Sequence, residues 1–386
     1  MINIKDYRQD IISILITVIL SVVIIFASSS IFNNGFLNDK LNKGVEYYKA
    51  EVKEVLEEKL QVDKYIEDIE LGYQNVTLKI LDGPYKGNEY NITNNVSRLY
   101  NFKVEEGSKI IAGMYFMDGS LKDVTIIGYK RSNTLGILVL LFFIIILLVG
   151  GFKGLKSIIS LLFTMICVVF LMLPLMLRGI NPIISAIVIA IISITVTLLL
   201  VSGINKKSFS AILGTLFGVL IAGILAYVFG YMSYLSGINM EEAESIMYIA
   251  ETTGLKINGI MFAGILVASL GAVMDVAMSI SSSVFEINSI NKEINIKGLF
   301  KSGMNIGRDI IGTMSNTLIL AFAGGSLNTL ILIYSSNMTA NRLLNLDVLG
   351  TEIIQGLAGS IGIILTVPIT AIISSYLSKK EKMNLY

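Results

Sequence analysis

The chain has 386 residues, of which 54% are hydrophobic and 15% charged, with a net charge of +1. A soluble domain would carry about a quarter charged residues, and the even charge balance leaves no basic footprint for nucleic acid. There is no histidine and only one cysteine, Cys167. This excludes an intrachain disulfide, a histidine-based triad and the usual metal centres, so neither metal nor cofactor is expected.

The first ten residues carry Lys5 and Arg8, and an apolar run follows from Ile11 to about Ala27. Ala27 and Ser29 suit a signal-cleavage site. The run is nevertheless close to the roughly 20 residues that span a bilayer, which favours a retained anchor over residues 1–32. From 33 to 131 the composition turns polar and no spanning run exists. Here residues 45–56 mix alternation with β-branching, and Val76, Leu78 and Ile80 share one face of a strand over 74–81. The cluster Asp82-Gly83-Pro84-Tyr85-Lys86-Gly87 predicts a turn, read as a hairpin, with a ligand loop as the sharper alternative. Further strands are expected from Tyr90, over 109–116 and over 121–129. About five short strands with glycine turns predict a small barrel or sandwich of OB-like kind.

Apolar runs at 133–151, 155–177, 183–201, 209–231, 257–284, 310–334 and 353–375 follow, the first two joined by Gly150-Gly151-Phe152-Lys153-Gly154. With the N-terminal run they make about eight spans, which must be helical because lipid cannot satisfy the backbone. The fold class is therefore mainly α: a polytopic helical membrane bundle with a small β-barrel-like domain between its first and second helices. Domains are expected at 1–32 (anchor), 33–131 (β-rich), 132–378 (seven helices) and 379–386 (tail). Lysines and arginines divide about thirteen against three between alternate connections, the minority set being Arg178, Lys256 and Arg342. Both termini are thus predicted cytoplasmic, in a bacterial cytoplasmic membrane, with 33–131 outside. In one outer loop Asn239 and Glu242 form a capping box ahead of an apolar stripe of Ala243, Ile246, Met247 and Ala250.

Two runs carry a polar seam. Asp275, Ser279, Ser282 and Glu286 recur on one helix face, continued outward by the small residues Ala268 and Gly271. In the next run Asp309, Thr313, Asn316 and Thr317 share a face beside Arg308. Asp275 lies roughly 16 Å deeper than Glu286, and Asn316 roughly 12 Å deeper than Arg308. Glu286 and Arg308 are accordingly expected to pair near the inner interface, with Asp309 beside them as part of a gate. Asp275, Ser279, Ser282, Thr313 and Asn316 are the candidate ion or substrate path. The plainer reading makes the same groups polar glue between helices.

The segments Gly271-Ala-Val-Met-Asp275-Val-Ala-Met-Ser279, Gly303-Met-Asn-Ile-Gly307-Arg308-Asp309-Ile-Ile-Gly312-Thr313 and Asn316-Thr317-Leu-Ile-Leu-Ala321 resemble the signature of the YibE/F-like family of bacterial multi-pass membrane proteins. The likeness continues into Gly359-Ser360-Ile-Gly362 and Val367-Pro368-Ile-Thr370, with a mild departure at Phe322 and Ala323. It implies a bacterial membrane and emphasis on Asp275, Gly307, Arg308, Asp309 and Thr313, but no activity. Three readings remain: a permease or channel for an ion or small polar solute, a non-transporting assembly or sensor protein whose outer domain binds a protein or envelope partner, and an intramembrane hydrolase. The hydrolase would need two paired acids, and Asp309 is too near the interface to join Asp275, so no enzyme is expected. The expected partners are the lipid bilayer, a small ion or solute, and an extracytoplasmic protein or envelope component.

Overall fold

The computed structural model describes residues 4–31, 44–117, 119–235, 243–257, 259–336 and 338–380. It divides into two compact units, one of Gly35–Ile145 and one of Met1–Asn34 with Ile146–Tyr386.

The first unit holds strands β1 (Val45–Val62), β2 (Glu70–Ile80), β3 (Glu89–Val96), β4 (Lys109–Met117) and β5 (Ser120–Tyr129). All pair antiparallel in the order β3-β2-β1-β4-β5. The long β1 pairs with β4 along its first half and with β2 over most of its length, and two register shifts near Val52 and Val55 coil it. Such bulges bend a strand and increase its twist. The sheet curls so that its edge strands β3 and β5 approach one another. Val76, Leu78 and Ile80 are fully buried with Ala50, Val52, Ile110 and Met114, as their alternation predicts. The 82–87 cluster is the β2–β3 hairpin. Gly83 and Gly87 both adopt positive φ, and Tyr85 is pinned between the rings of Tyr48 and Phe116.

The second unit is helical. Its elements are α1 (Ile4–Ile31), the part of α2 (Ser132–Cys167) beyond residue 145, a π-turn (Val168–Met172), α3 (Leu173–Leu177), α4 (Pro182–Ser202) and α5 (Lys206–Met232). They are followed by α6 (Ala243–Thr253), α7 (Ile260–Ile290), α8 (Ile296–Gly325), α9 (Leu327–Ser335), α10 (Ala340–Leu344) and α11 (Asp347–Lys379). Among the described residues six helical runs are long and apolar enough to cross a bilayer, and the pair α8 and α9, bent by 65°, makes a seventh if taken as one span. The 310–334 run is thus broken at Ser326, and α8 begins far earlier than its apolar stretch.

The run Ser132–Leu177 is 46 residues long, far more than one crossing needs. Gly151 interrupts it at φ 53°, ψ −133°. A Cβ on Gly154 would collide with the backbone of Ile146, eight residues back, which a straight helix would hold about 12 Å away. The chain therefore reverses at Gly151.

The core lies where α5, α7 and α11 meet, flanked by α4 and α8. Close approach of α5 to α11 rests on small residues. A Cβ on Gly362 would lie 2.8 Å from the Cβ of Ala222 and 2.9 Å from the carbonyl of Gly218. Small residues at such crossings let backbones meet when lipid supplies no hydrophobic drive. Buried Lys156 of α2 is paired with Asp10 of α1 and lies over the ring of Phe152. The capping box at Asn239 and Glu242 falls outside the described residues. α6 begins where the apolar stripe predicts, but Met247 is 38% exposed and Ile246, Ile249, Ala250 and Thr253 form the covered side.

Candidate functional site

α7 is an apolar helix with two unlike faces. One is a fully buried line of Val273, Ala277, Ile280 and Val284. The opposite face is exposed from end to end and reads Gly264, Ala268, Gly271, Asp275, Ser279 and Glu286, with Ser282 partly covered. Asp275 is the middle residue of the helix's 31.

α8 packs on α7 and α11 through Gly303 and Gly307. A Cβ on Gly303 would lie 2.9 Å from Val284, and one on Gly307 3.3 Å from Ile280. These contacts set the antiparallel register. Carried along both helices, it places Glu286 level with Lys301, Ser279 with Arg308, Asp275 with Gly312 and Gly271 with Asn316. Asp309, Thr313, Asn316 and Thr317 are exposed on α8.

The register corrects one expectation. Glu286 and Arg308 do not meet: they are about seven residues apart in depth, roughly 10 Å, and neither makes an ion pair among the described residues. Arg308 also looks the wrong way. Ile319, eleven residues on and on the same face of α8, lies against Gly356 of α11, so Arg308 sits on the α11 flank. The error came from starting the helix at its apolar stretch. α8 actually starts at Ile296, where Asn295 caps it by accepting a hydrogen bond from the Gly298 amide.

Among the described residues Asp275, Asn316, Glu286, Arg308 and Asp309 make no side-chain hydrogen bond or ion pair. Thr313 and Thr317 donate only to carbonyls of their own helix, Ile310 and Thr313. Ser282 and Glu286 line a cavity of about 380 Å³ with Asn205, Lys206, Lys207 and Phe285. The expected path residues are therefore gathered on two neighbouring helices, as an open face rather than an enclosed channel.

A second polar cluster was not legible in the sequence. Ser210 of α5, Ser281 of α7 and Ser374 of α11 are fully buried. The hydroxyls of Ser210 and Ser281 are 2.7 Å apart, Ser374 donates to Ser210 at 3.2 Å, and Ser281 reaches the Lys207 carbonyl at 2.8 Å. This is interhelical glue. Its only signal is that Ser281 falls on the apolar side of α7, two residues from Ser279. Among the described residues no group of His, Cys, Asp and Glu side chains could hold a metal.

Long apolar helices packed through glycines, with a row of polar side chains on two of them, define a polytopic membrane protein. The chain belongs to the YibE/F-like protein family, whose match covers residues 138–380. No curated protein and no solved structure matches it significantly.

Proposed function

We propose that this protein is a permease or channel, not an enzyme, that carries an ion or small polar solute along the α7–α8 face of a bacterial cytoplasmic membrane. One observation carries the reading: Asp275 stands at the middle of a membrane-length helix with no partner among the described residues. A carboxylate at that depth costs at least about 2.5–3.5 kcal/mol unless it faces protein or water, and such residues mark ion and proton paths. The open Ser282–Glu286 cavity forms the mouth of the path at the lysine-rich end. In this topology Ser132–Leu177 counts as two spans and α8 with α9 as one, giving eight, with both termini cytoplasmic and the sheet outside.

The test is flux into proteoliposomes under imposed proton, sodium, potassium and divalent-metal gradients, beside the Asp275→Asn variant. Flux that Asp275→Asn abolishes while the protein stays folded supports the path. Flux unchanged by the substitution defeats it.

A second reading, a partner-binding protein, is favoured by a separate feature. Tyr65 (84% exposed), Leu99 (80%) and Tyr100 project from two neighbouring loops of the sheet. Those loops are locked together by Asp63 and Arg98, at 2.6 and 2.9 Å. Rigid exposed aromatics of this kind suit a protein or envelope polymer. Loss of binding to isolated cell envelopes in a Tyr65→Ser, Leu99→Ser variant tests it.

A further inference from the structure

Among the described residues the α7–α8 face carries groups of both signs that have no partner, from the lysine-rich end to Asp275 at the middle of a membrane-length helix. Carboxylates of Asp275, Asp309 and Glu286 stand open, as do the Arg308 guanidinium, the Lys301 ammonium and the Asn316 amide. Between them the surface is nearly without side chains. A Cβ on Gly264, Gly271 or Gly312 would meet nothing within 4 Å. Small residues in this arrangement let another helix come to backbone distance.

We propose that this face is the interface between two copies of the chain, and that the second copy completes the Asp275 site. The choice of occupant follows from charge and depth. Two copies inserted in the same orientation are related by a two-fold axis along the membrane normal, so residues meet at equal depth and each contact occurs twice. α7 of one copy then lies against α8 of its partner. At the lysine-rich end Glu286 is level with Lys301, opposite in sign. One turn deeper than Ser282, Ser279 is level with Arg308. Asp275 is one further turn along, about 6 Å, within reach of an arginine side chain. Within a single chain Arg308 cannot serve Asp275, because it lies on the α11 flank of α8. Across the interface it can, and it supplies a charge-assisted donor to an acceptor that otherwise has none. The face is thus complementary to itself.

This inference shares the face with the transport reading but does not depend on it. Cross-linking reports on the interface whether or not anything is carried, and flux reports on the path. Two differently tagged full-length copies are co-expressed in a Cys167→Ser background, one with Gly271→Cys and the other with Asn316→Cys, two positions at equal depth, and oxidised in native membranes. The expected product is a disulfide-linked species bearing both tags. Ile224→Cys, on an exposed position of α5, serves as the control and should give none. Separately, Gly271→Trp in nanodiscs should raise the dimer dissociation constant at least about tenfold, with the thermal transition of the protomer unchanged. Cross-linking no greater than the control, or folded wild-type protein that is monomeric in nanodiscs, overturns the proposal. A disulfide-linked product bearing only a single tag also overturns it, because like positions then meet where α7 should meet the partner's α8.

Discussion

The sheet and the α7–α8 face treat polar side chains in opposite ways. In the sheet, where water could satisfy every group, buried polar atoms are paired repeatedly. Gln74, fully buried, donates to Glu58 and to the Val104 carbonyl and accepts from the Val104 amide and from Asn94. Asp63 accepts two bonds from Arg98 and one each from the amides of Tyr65 and Ile66. On the membrane helices, where an unmet group is most expensive, Asp275, Asn316 and Arg308 have no partner among the described residues. Pairing in the sheet serves shape, because it ties loops to strands. Lack of pairing on the helices leaves these groups open on one face.

One charged pair on the helices does form, between buried Lys156 and half-buried Asp10. Asp10→Asn strands a buried ammonium, and the expected loss is about 3–5 kcal/mol. Replacing both, with Asp10→Leu and Lys156→Met, should recover most of it. Thermal unfolding of the full chain in nanodiscs would show both, and an Asp10→Asn transition equal to wild type would mean the pair holds nothing.

The sheet's pairing is tested by Gln74→Leu. It leaves the Val104 amide and the Asn94 side chain without their acceptor, at about 1–3 kcal/mol. Hydrogen exchange at Val104 should accelerate accordingly, and unchanged protection would contradict the network.

On the helices a finer contrast is available two residues apart. Ser281→Ala removes a hydroxyl shared by two helices and should cost about 0.6–2 kcal/mol. Ser279→Ala, on the open face, should leave stability within about 0.5 kcal/mol while affecting flux if the path reading holds. Equal effects on unfolding would erase the distinction between the two faces.

The smallest effect concerns pH. Hydrogen bonds from Arg98, then the Tyr65 amide, hold the Asp63 carboxyl below its usual range. A depressed carboxylate contributes stability that is present above the unfolded pKa, about 3.9, and is lost as pH falls toward the folded value. Acid unfolding of the sheet should therefore be steeper below about pH 4 in the wild type than in Arg98→Ala. Parallel curves would detach Asp63 from the acid transition.

Much of this architecture was written in local pattern. Val76, Leu78 and Ile80 are buried as alternation predicts, and the 82–87 turn joins the strands it was read to join. The polar residues of α7 and of α8 lie together on one face of each helix, because helical periodicity decides which residues of one helix point together. The family likeness rested on these two helices and on the stretches 359–362 and 367–370 of α11.

What only the tertiary structure decided is what each face meets. Periodicity groups Ser279 with Asp275 and Ser281 with Ile280's side of the helix, but it cannot say that the first group stands open and the second is bound to Ser210 and Ser374. It cannot give the register of α7 on α8 either. Contacts of Gly303 with Val284 and of Gly307 with Ile280 set that register, and they moved Arg308 about 10 Å away from Glu286. Composition and hydropathy marked the membrane helices because the bilayer imposes length and apolarity on each segment separately. Depth, pairing and exposure depend on two segments at once, and packing between them is where they were settled.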